Sequence, residues 1–521
     1  MFLKSCLLEE QEGYCLYLPM VYRPTRRRFL KAAGATGAAL GLGNLSFLSR
    51  LPRLSAAETE LKAVQFAPEI EPLVRFLENT PRERLLEEAG ARIRRGLSYR
   101  DILTAVFLAG IRNIQPRPVG FKFHAVLVIN SAHLASVASA DSDRWLPVFW
   151  ALDSFKNAQA QDVKEGDWTM APPAESKVPT SPQAKTAFTE AMDHWDESAA
   201  DAAVAGLARV AGAQEIFEIL CRYGARDFRE IGHKAIYVAN SWRLLQAIGW
   251  RHAEPVLRSL AYALLDRGGD KNPSESNLPA DRPWRSNLPA AASVRKDWPD
   301  GKPNPSATLE IQETLRHATP EEASKKVIAL LNQGAAPQSI WDGLFHGAGE
   351  LMVRRPGILS LHAVTSTNAL HFAYQTSASD ETRRLLMLQN AAFLTLFRGD
   401  SDLKPVRLDQ LEPLSDKEAT PELTDVFAEI SHDRMTAARK FLAYLRASGD
   451  TGEFSTAARR LIFLKGTNAH DYKFSSAVLE DYLQVSPAFR DRYLASSLFY
   501  LRGSGDADNS LVKRTRAALA A

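Results

Sequence analysis

Residues 124–133 read His-Ala-Val-Leu-Val-Ile-Asn-Ser-Ala-His, and residues 362–371 read His-Ala-Val-Thr-Ser-Thr-Asn-Ala-Leu-His. Five of the ten positions agree across an offset of 238, including both histidines and the asparagine. The same offset pairs Arg117-Pro118 with Arg355-Pro356, Phe107 with Phe345 and Phe155 with Phe393. An offset one shorter pairs His233 with His470, Leu257 with Leu494 and Leu264 with Leu501. A nearly constant offset over about 150 residues points to internal duplication.

Working outward, apolar residues recur at i, i+3, i+4 and i+7 in segments 101–114, 201–222, 235–248, 255–266, 322–333, 384–397 and 435–447. Alternating, strand-like runs are few. Two stretches rich in Pro, Gly, Ser and Asn, 171–186 and 268–306, read as long loops. The expected fold is all-α: an internally duplicated helical bundle with two pseudo-symmetric halves, 58–267 and 307–521, joined through 268–306. Trp284 and Trp298 suggest that this connection packs against the body.

Residues 1–57 read as an address. Thr-Arg-Arg-Arg-Phe-Leu-Lys at 25–31 is followed by an apolar small-residue run and by Ser55-Ala56-Ala57, which resembles a twin-arginine export signal. Met20 is a candidate start. The expectation is a periplasmic or secreted protein that meets the twin-arginine translocase during export, with no stable membrane span.

With 45% hydrophobic and 24% charged residues in 521, the chain is neither disordered, collagen-like nor a multi-span membrane protein. Removing the signal takes eight basic and three acidic residues with it and turns the net charge from +3 to −2. No basic stretch interleaves with aromatics, so nucleic acid is not an expected partner. Of the three cysteines only Cys221 lies beyond the signal, which excludes a cysteine metal knuckle and leaves histidine as the nitrogen or sulfur ligand. HExxH, P-loop and GxSxG motifs are absent.

Six of the eleven histidines, His124, His133, His233, His362, His371 and His470, fall at matched positions. Two halves brought together would direct them at a shared interface, as metal sites in helix bundles are built. Histidines nine apart stand on opposite helix faces, so one of His124/His133 and one of His362/His371 is a ligand and the other supports it. Asn130 and Asn368, three residues before His133 and His371, could orient an imidazole, contact substrate or bond another helix. Lys473 shares a face with His470. Its ammonium form cannot ligate, whereas a carbamylated lysine presents two oxygens; the plain alternative is a salt bridge to Asp471.

His371-Phe-Ala-Tyr, the helix Asp-Glu-Thr-Arg-Arg-Leu-Leu-Met-Leu-Gln-Asn-Ala-Ala-Phe after it, and Ala-His-Asp-Tyr-Lys-Phe at 469–474 resemble motifs of the questin oxidase-like family of Baeyer–Villiger or ring-cleaving oxygenases. The resemblance covers mainly 340–500. It implies a mononuclear non-haem iron held by four histidines and a carboxylated lysine. His371, His470 and Lys473 match motif positions directly. His133 and His233 follow through the duplication, and His124 and His362 are alternates. The sequence departs from the family at Thr367, Ala373 and Ser377, where a histidine, a glycine and a glutamate are expected.

The resulting expectation is an exported iron-dependent oxygenase acting with dioxygen on an aromatic or electron-rich small molecule, with Lys473, Asn130 and Asn368 as its reactive or orienting groups. The rivals are a non-enzymatic helical scaffold with buried structural histidines, and a lyase or hydrolase using a tyrosine such as Tyr237, Tyr374 or Tyr472.

Overall fold

The computed structural model describes residues 63–399, 403–414 and 421–520; the export segment 1–57 and Met20 lie outside them. Among the described residues there are 22 α-helices and no strand. The one ladder contact among them is an isolated bridge between Lys302 and Ala335. The fold is all-α. None of the described helices is long and apolar enough to cross a membrane.

The described residues, 63 onward, belong to a single compact unit. At its centre four helices close a ring: α1 (His124–Val137) packs on α2 (His233–Ile248), α2 on α3 (Ile358–Thr376), α3 on α4 (Ala469–Asp481), and α4 back on α1. Residues 125–132, 233–242 and 360–371 of the first three are buried without interruption. A helix apolar or small-residued all round is one enclosed by others. Tyr99–Asn113 and Leu146–Glu165 cover α1, while Pro337–Arg354 and Asp380–Arg398 cover α3. The ring takes two helices from each half of the sequence; the duplication itself stands as an inference from the sequence.

The periodic segments fall on helices to within two residues at their ends, with one difference. The run 201–222 is two helices, Glu197–Val210 and Ala213–Gly224, parted at Ala211-Gly212, where both residues are extended. The expected loop at 268–306 contains a short helix, Arg282–Ala290, and is pinned to the body. Trp298 is fully buried and donates its indole N–H to Asp380, and Asn287 donates to Gln389.

Local chemistry fixes where the ring helices start. The Asn468 side chain accepts the His470 amide, and the Asp471 carboxylate accepts the Thr467 and Asn468 amides, a capping box for α4. Before α2 the backbone is left-handed at three successive residues, Glu230 (φ 54°), Ile231 (φ 44°) and Gly232 (φ 80°). Only glycine fits at 232, because a Cβ there would run into Ser366 Oγ of α3. One residue into α2, the Lys234 ammonium is fully buried, donating to both Asp227 oxygens at 2.9 and 3.0 Å and to the Asp266 carbonyl at 2.6 Å.

Removing one partner of that pair strands the other in the core. Lys234→Met should therefore cost about 3–5 kcal/mol in chemical denaturation. A loss near zero would mean that the Asp227 carboxylate finds water.

Candidate metal centre

The four ring helices meet at their N-terminal ends. His124 and His233 are the first residues of α1 and α2, His470 the second of α4, and His362 the fifth of α3. The imidazoles form one cluster, with ring centroids 4.8 Å apart for His124–His233, 4.6 Å for His124–His470, 4.4 Å for His233–His362 and 5.2 Å for His362–His470. One nitrogen from each of His124, His233 and His362 lies within 4.8 Å of the others.

The protonation state follows from the hydrogen bonds. His124 Nδ1 lies 2.9 Å from the Phe121 carbonyl, His233 Nδ1 2.6 Å from the Glu230 carbonyl, and His362 Nδ1 2.7 Å from the Ile358 carbonyl. A carbonyl can only accept, so each Nδ1 carries the proton and each Nε2 turns a lone pair to the centre. His124 Nε2 and His233 Nε2 then face each other at 3.0 Å with no proton between them. That separation suits two neighbouring ligands about 2.1 Å from a shared cation. Lys473 Nζ, buried, lies 3.3 Å from His362 Nε2, and His470 Nε2 is buried with no hydrogen-bond partner among the described residues. The Gly120 backbone fits between the rings: a Cβ built on it would sit 3.4 Å from His233 Cε1 and 3.6 Å from His124 Cε1.

Burial, the charge of Lys473 and the neighbouring imidazoles oppose protonation throughout. They lower His124 to about 2 and hold His233 and His362 well below the ordinary imidazole value, while burial and Lys473 bring His470 to about 4. Burial brings Lys473 down to about 7. Four helix N-termini add positive potential of the same sense. Among the described residues the site is a set of neutral nitrogen donors without a carboxylate in the cluster.

The cluster forms the floor of a cavity of about 990 Å³ whose walls include Phe121, Trp150, Ile231 and Ile358. A volume at the upper end of the range for small-molecule sites accommodates a ligand of several rings.

The residues named from sequence divide sharply. His233, His470 and Lys473 are in the cluster. His133 and His371, the leading members of their pairs, are not, and His124 and His362 take their places. His133 Nδ1 is hydrogen-bonded to the Tyr99 hydroxyl at 3.0 Å, and His371 packs against Trp341 and Phe345 at 4.7 and 4.9 Å. The reason is the meeting of helix N-termini, which selects the earlier histidine of each nine-residue pair. Asn130 donates to Asn240, and Asn368 donates to Glu480 and Asp481. Both make interhelix hydrogen bonds deeper in the ring and neither lines the large cavity. The salt bridge weighed for Lys473 does not form, because Asp471 pairs with Arg502. Tyr237 bonds Ser259, Tyr374 accepts from Arg383, and Tyr472 stacks under Trp150 at 4.4 Å. Phe121, Trp150 and the Glu230–Ile231 turn escaped the sequence reading; the Gly-Phe and Ile-Gly steps just before His124 and His233 were its only local signals.

No family model, no curated protein and no solved structure matches the chain.

For the metal-free protein the sign of the pH dependence is determined. The unfolded chain protonates these imidazoles below pH 6.5, and the folded chain resists it. Stability should be insensitive to them above that pH and fall below it, by up to about 1.4 kcal/mol per pH unit for each buried imidazole. For His470 the fall ends near pH 4. Lys473 acts higher: stability rises with pH between about 7 and 10.5, and Lys473→Met abolishes that rise. Urea titrations of the metal-free chain from pH 4 to pH 10 (about three units either side of neutral) read both; a level profile over the acid limb would show that the cluster titrates normally.

Proposed function

We propose that the protein is an exported, metal-dependent oxidoreductase with a mononuclear site held by His124, His233 and His362, with His470 as a fourth imidazole and Lys473 beside them. The observation that carries this is the approach of two imidazole nitrogens to 3.0 Å with both Nδ1 protons committed elsewhere. Lone pairs so opposed repel unless a cation lies between them. A structural pair would instead hold a proton between the two Nε2 atoms, one donating and the other accepting.

The donor set fits a transition metal: imidazole nitrogens suit zinc, copper, iron and nickel, and the absence of carboxylates from the cluster disfavours calcium or magnesium. The likeness of residues 469–474, which carry His470 and Lys473, to a questin oxidase-like motif supports iron, with dioxygen and an aromatic or electron-rich small molecule as partners. Bound there, iron would supply the one-electron and dioxygen chemistry that these side chains lack. The chain's own contribution is to hold the Nε2 lone pairs in place through three backbone carbonyls, to keep the imidazoles neutral, and to offer a walled cavity above them. A lysine lowered to about 7 exposes a free amine near neutral pH, the form that carbon dioxide carbamylates and that can then reach a metal through oxygen. The twin-arginine-like segment supports assignment to the periplasm or the exterior.

Metal analysis of protein exported by its own route tests the reading. About one equivalent of iron per chain is expected, and less than about 0.2 equivalents of any transition metal sinks it. His233→Ala and His362→Ala should lose the metal, whereas His133→Ala and His371→Ala keep it. Retention in Lys473→Ala removes the lysine from the ligand set. If the cluster is merely a scaffold feature, every one of these substitutions changes only stability, by ~1–3 kcal/mol.

A further inference from the structure

Two turns at the cavity wall break local rules in the same way. Phe121 stands at φ 46° and is 75% exposed, the largest exposure among the big hydrophobics of the described residues. Ile231, a β-branched residue, stands at φ 44°, directly after Glu230 at φ 54°. Left-handed backbone is rare for such residues and costs free energy unless the site requires it. A phenylalanine that is both left-handed and exposed contributes little to folding, which leaves a ligand as its reason for being there.

The position of these turns says what they do. Phe121 and Ile231 both line the 990 Å³ cavity, three and two residues before the histidines on its floor. The Phe121 and Glu230 carbonyls are the acceptors that orient His124 and His233. Each turn thus offers a side chain to the cavity and a carbonyl to an imidazole.

We propose that Phe121 and Ile231 are ligand-positioning residues that grip an uncharged molecule with a flat apolar body, and that the ligand's arrival is passed to His124 and His233 through the two carbonyls. Trp150, stacked on Tyr472, supplies a third apolar face. The arginine and lysine that line the cavity are both paired, Arg82 with Asp153 at 2.7 Å and Lys122 with Asp162 at 2.7 Å, so neither is a free cation for an anionic ligand. A side chain pushed by the ligand rotates its own peptide, and a left-handed turn at an energetic disadvantage has an accessible alternative to move to. The proposal builds on the metal-site reading of the same cavity, yet both of its measurable consequences appear in the metal-free chain.

The test is fluorescence titration of the metal-free full chain with N-phenyl-1-naphthylamine, a neutral flat probe, together with thermal unfolding. Phe121→Gly should leave the melting temperature level or raise it, because glycine accepts the left-handed turn, and should weaken probe binding about tenfold, roughly 1.4 kcal/mol. Phe121→Asn, which also tolerates that backbone, should behave alike. Leu483→Ala removes an exposed leucine outside the cavity and should leave probe affinity unchanged. With the histidines labelled, the probe should shift the Nδ1–H resonances of His124 and His233 in the parent and not in Phe121→Gly. Probe affinity within about twofold of the parent in both Phe121→Gly and Ile231→Gly overturns the grip. Unmoved resonances in the probe-saturated parent overturn the transmission. A chain that binds the probe and no metal sinks the preceding reading and leaves this one intact.

Discussion

The three bonds from imidazole Nδ1–H to a backbone carbonyl govern everything at the centre of this molecule. Each fixes a tautomer, and the tautomer leaves Nε2 bare and aimed inward. Because the acceptors are main-chain atoms three or four residues earlier, the ring orientations are set by the helix starts rather than by mobile side chains. The 3.0 Å contact between His124 and His233 follows from two such starts placed side by side. Had either histidine met a carboxylate at Nδ1, it would have gained a counter-charge and been easier to protonate. Carbonyls orient without adding charge, so the cluster stays neutral while Lys473 and four helix N-termini surround it.

That arrangement is poor for an isolated bundle and good for a cation-binding one. Burying several unprotonated imidazoles forgoes their hydration, and opposing their lone pairs adds repulsion. A bound metal reverses both terms at once, which ties the stability of this end of the bundle to occupancy of the site. The positive potential of the helix ends would oppose a cation. Imidazole donation therefore has to outweigh the field, which fits transition metals better than hard ions held by charge alone.

Much of this was legible in the sequence. The helical class followed from periodicity, and the repeated His-x5-Asn-x2-His stretch marked the helices α1 and α3 that carry the site. His124 and His133, nine residues apart on α1, do part company: the first joins the cluster and the second bonds Tyr99. What the sequence does not contain is which end of each helix meets the others. Similarity to a family motif favoured His371, whereas the ring converges on N-termini and so takes His362. The break at Ala211-Gly212 was hidden because the apolar pattern continues in phase across it. The left-handed turns were illegible for another reason: Phe and Ile are residues from which no local rule predicts positive φ.

The asparagines show why the histidines meet at one level. Below the cluster, Asn130 of α1 bonds Asn240 of α2, Asn240 donates to the Leu127 carbonyl, and Asn368 of α3 bonds Glu480 and Asp481 of α4. Arg243 of α2 ties in Asn368 and Glu480. Apolar surfaces could slide along one another by a turn at small cost, but a buried amide cannot leave its partner without stranding a polar group, a penalty of about 1–3 kcal/mol. These bonds therefore set the axial register of the four helices. A register error of one residue, about 1.5 Å of rise, would separate the His124 and His233 nitrogens that lie 3.0 Å apart. The role of Asn130 and Asn368 in the site is thus indirect and strict: they hold the depth at which four independent helices each place one imidazole.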